Sequence, residues 1–64
     1  MTNNVRQLRK QHNLRQEDLA EKAGVTRQTI IAIENCKYNP SLLLALKLAK
    51  ILNSSVETLF ELGE

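Results

Sequence analysis

The chain has no tryptophan, one cysteine, one proline, two glycines and only two aromatic residues, Tyr38 and Phe60. A lone thiol, Cys36, cannot close an internal disulfide, so nothing points to an oxidising compartment, and the cytoplasm is the default. With Gly24, Gly63 and Pro40 as the only Gly and Pro residues, a turn-rich β-fold is excluded. The longest unbroken apolar run, Leu42 to Leu46, falls far short of the roughly 20 residues that cross a bilayer, and no signal-peptide stretch opens the chain. One histidine, His12, and one cysteine offer no transition-metal spacing. There is no glycine-rich phosphate loop. Ser41, Ser54 and Ser55 each precede an expected helix and read as caps rather than nucleophiles, while Glu17, Asp18 and Glu21 read as a solvated helix face. Catalysis, a metal, a cofactor and a small-molecule ligand therefore have no residues to carry them.

What is present is a short, aliphatic, mildly basic chain. Sixty-four residues make one domain, 1–64, whose core must come from Leu, Ile, Val and Ala. A chain this short buries about 60% of the surface that its unfolded form exposes, so oligomerisation is a natural source of extra stability. Nine Lys and Arg against seven Asp and Glu give +2, and their distribution matters more than their sum. Residues 1–16 carry Arg6, Arg9, Lys10 and Arg15 without an acid, and residues 55–64 carry Glu57, Glu61 and Glu64 without a base. That polarity fits either a decorated soluble surface or one end turned toward a polyanion.

Helical spacing predicts five short helices, at about 4–12, 16–22, 27–35, 42–52 and 56–62. Val5, Leu8 and Arg9 share the inward-facing side of the first, with Leu14 in the core beyond it. Leu19, Ala20 and Ala23 form the inward stripe of the second; Arg15 is a poor N-cap, and Gly24 is the candidate left-handed terminator. Thr26 caps the third, which buries Ile30 and Ile33 and exposes Arg27, Gln28 and Thr29 on its first turn. Ser41 caps the fourth, interrupted only by Lys47 and Lys50; a helix so nearly apolar all round is buried centrally or shares a face with a partner.

The informative stretch is Gln16 to Glu34, two short helices joined through a tight glycine-containing turn. Such a unit crosses at a large angle and presents the first turn of its second helix outward, the geometry of a helix-turn-helix. Arg27 can pair bidentately with guanine and Gln28 with adenine in a major groove, and Gln16 can donate to a phosphate at the amino end of the preceding helix.

The string LRQEDLAEKAGVTRQTIIAIENCKYNPSLLLALKLAKILNSSVETLF, Leu14 to Phe60, resembles the phage-repressor-like (Cro/cI, Xre-type) helix-turn-helix regulators. A QxxLA helix alone is weakly specific; GV, TRQTI, IEN, NPSL and VETLF in order are highly so. The resemblance implies an all-α, five-helix lambda-repressor-like domain of the short stand-alone form. It also implies a homodimeric repressor reading a palindromic operator in double-stranded DNA. It implies base contacts at Arg27, Gln28 and Thr29 and phosphate contacts at Gln16, Thr26, Asn35, Lys37, Tyr38 and Asn39. It further implies an ion pair between Arg9 and Glu34, and a twofold surface from Asn39, Val56, Leu59 and Phe60. Helical phase supports the pair independently, because Glu34 shares the side of Ile30 and Ile33 and a buried carboxylate needs a partner.

The sequence departs from the family pattern in three ways. Cys36 stands where glycine usually ends the third helix, so either another cap or mild strain is expected. Ile31 and Ala32 shrink the polar reading surface to apolar contact with a thymine methyl at most. Leu43 marks a partner surface or is a tolerated exposed leucine. The alternative to a DNA-binding regulator is a protein-interaction module, such as an antitoxin or anti-repressor, that uses Ile31, Ala32 and Leu43 to hold a partner.

Overall fold

Five helices in chain order enclose one aliphatic core: α1 (Val5–Gln11), α2 (Gln16–Ala23), α3 (Arg27–Glu34), α4 (Leu42–Ile51) and α5 (Val56–Leu59). The computed structural model describes residues 2–61. Val5, Leu19, Ala20, Ala23, Ile30, Ile33, Leu44, Leu48, Ala49, Leu52 and Leu59 form the core, with Leu8, Leu14, Val25 and Ile51 packed against it. The five helices expected from the spacing, in the lambda-repressor-like arrangement that the resemblance implied, are what the chain adopts, with one short strand pair added.

The N-caps follow side-chain chemistry. Thr26, Ser41 and Ser55 each accept the backbone amide three residues on, satisfying one otherwise unpaired donor. Arg15 is no cap, and α2 starts by a different device. The Asp18 carboxylate reaches back to the Arg15 amide at 2.8 Å and to its guanidinium at 3.1 Å. That carboxyl is held below the ordinary range, first by the guanidinium hydrogen bond and then by the amide.

The first four helices all stop in the same way. The residues just beyond them, Asn13, Gly24, Cys36 and Asn53, have φ of 58°, 74°, 59° and 53°. In each case that residue and its successor donate amides back to the last turn, as Cys36 to Ile33 and Lys37 to Ala32. Gly and Asn are the usual occupants of this left-handed position, and Cys36 takes it at a steric cost. Of the two outcomes open at Cys36, the backbone keeps the glycine conformation and no other cap replaces it.

The carboxyl-terminal helix is shorter than its spacing predicted. It ends at Leu59, and Phe60–Glu61 form a strand, β2, paired antiparallel with β1 (Thr2–Asn3) in the register Thr2 to Glu61 and Asn3 to Phe60. The amino-terminal segment causes this termination. Asn4 gives its backbone amide to the Leu59 carbonyl and its side-chain amide to the Thr58 carbonyl, both at 2.8 Å. Residue 62, the expected end of this helix, and Gly63 and Glu64 lie outside the described residues.

Candidate nucleic-acid interface

The residues of the interface are spread along α3 and the loop that follows it. Thr26 fixes the amino end: its hydroxyl accepts the Thr29 amide at 3.2 Å and lies 3.0 Å from the Thr29 hydroxyl. Thr29 is half-buried and its hydroxyl meets that of the Thr26 cap. Arg27 and Gln28 are exposed, and among the described residues neither side chain hydrogen-bonds another or forms an ion pair. Two long polar side chains thus stand free on a turn whose backbone is locked by its cap. Ile31 and Ala32, one turn further along, are half-buried.

The far end of α3, about 12 Å away at 1.5 Å per residue, holds a charged cluster. Arg9, 7% exposed, donates from Nε to Glu34 Oε2 at 2.6 Å and from Nη2 to Oε1 at 3.3 Å, and its Nη1 meets the Leu14 carbonyl at 2.8 Å. The Glu34 side chain has no exposed surface. Burial pushes its carboxyl up, but the hydrogen bonds from Arg9 and Gln16 outweigh burial and hold it below the usual carboxylate range. Arg6 completes the cluster, 3.5 Å from Glu34 Oε1 and 3.4 Å from Asn35 Oδ1.

Gln16 occupies the first turn of α2, where a phosphate donor was expected, yet its Nε2 also donates to Glu34 Oε1 at 3.1 Å. Sequence reasoning missed this bond because nothing local ties residue 16 to residue 34. Asn35, Lys37, Tyr38 and Asn39 are all exposed on the loop after α3. The Asn3 side chain braces the start of that loop, donating to the Ile33 carbonyl at 2.8 Å.

The expected twofold surface needs revision. Asn39 is exposed and Val56 and Phe60 are half-buried, but Leu59 is fully enclosed in the core. It lies on the inward side of α5 and has no surface to offer a partner. Leu42 and Leu46 on α4 are 70% and 52% exposed. Grooves lined by Leu42, Leu46, Ala49 and Val56, and by Asn39, Pro40, Ala45 and Phe60, run beside them. The apolar circumference of α4 was the available signal, and only packing shows which leucines it leaves outside. Leu43 is 65% exposed. Among the described residues no group of His, Cys, Asp or Glu is arranged to hold a metal, and no helix is long and apolar enough to cross a membrane.

A capped helix with a free polar first turn, packed across a glycine-ended helix, defines the helix-turn-helix class. A helix-turn-helix family model matches residues 5–59, and the chain belongs to that family. It is 57% identical over 60 residues to an uncharacterised HTH-type transcriptional regulator of Methanocaldococcus jannaschii, covering 94% of this chain and 91% of that protein. Among solved structures it is similar to a chain of the SinR–SinI protein complex, with TM-score 0.83 and 35% identity over 92% of this chain and 58% of that one. It is also similar to SinR, the master regulator for biofilm formation, in complex with DNA. There the TM-score is 0.77 and the identity 38%, over 86% of this chain and 89% of that one.

Proposed function

We propose that this chain is a homodimeric transcriptional repressor that reads a palindromic site in double-stranded DNA through the major groove, acting in the cytoplasm. The observation that carries this reading is the first turn of α3, where Arg27 and Gln28 are exposed and unpaired above a capped, immobilised backbone. Free donors held in fixed positions suit the groove edge of a guanine and an adenine. Thr29 adds a methyl contact, and Gln16, Thr26, Asn35, Lys37, Tyr38 and Asn39 supply the backbone contacts that position the protein without reading sequence.

The twofold surface is formed by Leu42, Leu46, Val56, Phe60 and Asn39. Exposed leucines grouped beside apolar grooves are costly for a monomer and fit a second copy. Two recognition helices about 34 Å apart would then read half-sites one turn of B-DNA apart.

Selecting duplexes from a randomised library at two salt concentrations tests the reading. The expected outcome is an inverted repeat whose half-sites are about ten base pairs apart, retained more weakly at high salt. Failure to retain any duplex at low salt would refute it and favour a protein-interaction module built on the same leucines.

A further inference from the structure

Glu34 sits where it links the protein's interior to its surface. Arg9 approaches it from the core side at 2.6 Å, and Gln16, on the first turn of α2, approaches its other oxygen at 3.1 Å. We infer that Glu34 is a positioning residue for DNA: it orients the Gln16 carboxamide so that a donor, and not an acceptor, faces the phosphate. This inference rests on the DNA-binding reading above.

The chemistry is directional. A side-chain amide has a donor end and an acceptor end, and in solution either can point outward. An ionised carboxylate only accepts, so the end of Gln16 that meets Glu34 must be its NH2 group. One of the two N–H bonds is taken by Glu34 Oε1. The other diverges from it by the planar geometry of the amide and stays free to donate. Arg9 keeps the carboxylate ionised, since the guanidinium neutralises a group that burial alone would protonate. Arg6, 3.5 Å from the same oxygen, adds positive charge on the exposed side. Replacing Glu34 with glutamine would remove this discrimination, because a glutamine amide offers a donor as well as an acceptor. The Gln16 carbonyl oxygen could then face the phosphate and repel it.

The α2 amino terminus makes the orientation consequential. The Gln16, Glu17 and Asp18 amides precede the first intrahelical donor, Leu19, which bonds to the Arg15 carbonyl. Glu17 and Asp18 bring negative charge to this same end, and both are engaged by Arg15, at 3.5 and 3.1 Å. With these carboxylates nearby, a phosphate is held there only if every available donor is turned toward it.

Two measurements test the inference. In the free protein, the Gln16 side-chain amide protons should show NMR shifts displaced from those of exposed Gln7 and Gln11, and Glu34→Gln should move them back. On the best duplex recovered from a randomised library, Gln16→Ala should weaken binding about tenfold, the scale of a hydrogen bond to a charged group. Glu34→Gln should do likewise alone, yet add less than about twofold in the Gln16→Ala background. Glu34→Asp, which keeps the charge and partly the reach, should fall between.

All binding is compared at a temperature where circular dichroism shows each variant folded. Equal weakening by Glu34→Gln in both backgrounds would make its role merely structural and overturn the inference while leaving DNA binding intact. Gln16 amide shifts like those of an exposed glutamine would do the same. Failure to recover any duplex would overturn the DNA reading, and the inference with it.

Discussion

Glu34→Ala leaves a guanidinium enclosed by protein with a single carbonyl for company. In the intact protein Glu34 receives two hydrogen bonds from Arg9, one from Gln16 and an ion-pair contact from Arg6, with no side-chain surface open to water. Arg9, 7% exposed, would keep only its bond to the Leu14 carbonyl. Removing one partner of a buried pair costs about 3–5 kcal/mol, mostly from the charge left behind. A 64-residue domain has a total stability of about 3–10 kcal/mol at typical per-residue values. The substitution therefore removes a large share of the whole. Urea unfolding followed by far-ultraviolet circular dichroism at neutral pH should show the midpoint falling by about a third or more, or the transition vanishing. Arg9→Met combined with Glu34→Leu should be milder than either Arg9→Ala or Glu34→Ala, because no charge is stranded.

The same pair sets a pH dependence. Because Glu34 titrates lower in the folded state than in the unfolded chain, the unfolded state binds more protons in the acid range. Stability from this group is therefore complete above the ordinary glutamate value, about 4.3, and declines as pH falls through the lower folded value. Asp18 adds a decline of the same sign. Glu34→Gln should lose its own part of that slope. Losses under about 1 kcal/mol for Glu34→Ala and Arg9→Ala alike, or an acid slope unchanged by Glu34→Gln, would refute the reasoning.

Cys36→Gly should raise the melting temperature, since glycine adopts the observed φ of 59° without the Cβ penalty of about 1–2 kcal/mol, and part of that gain is lost to unfolded-state entropy. A gain near 1 kcal/mol corresponds to about 4–8 °C at this size; an unchanged or lower melt would contradict it. Arg27→Ala should relax base preference in a selection experiment. Lys37→Ala should weaken all duplexes alike and lower the salt slope by about one, and equal effects of both variants on specific and random DNA would contradict this division. Leu42→Glu with Leu46→Glu should leave helical content intact, because both side chains project outward, and shift sedimentation equilibrium to a single-chain mass. A dimer that survives the double change would place the twofold contact elsewhere.

Much of this was legible in the chain alone, wherever the decisive interaction was local. The helices at 16–23 and 27–34 follow from apolar spacing, and Thr26, Ser41 and Ser55 announce helix starts because a short oxygen-bearing side chain reaches an amide three residues on. Gly24 marks a stop for the same local reason. The exposure of Arg27 and Gln28 follows from which side of α3 the isoleucines occupy. The aliphatic core and the apolar circumference of α4 are likewise properties of composition and period.

Packing decided the rest. Whether Leu42 and Leu46 lie outside and Leu59 inside depends on how α4 and α5 meet, and a helix apolar on every side carries no preference of its own. The end of α5 depends on Asn4, more than fifty residues earlier, whose amides capture the Thr58 and Leu59 carbonyls. The bond between Gln16 and Glu34 belongs to the same group. Hydrogen bonds between residues distant in the chain leave no periodic trace, so only the folded geometry could bring that amide to a carboxylate charged by Arg9.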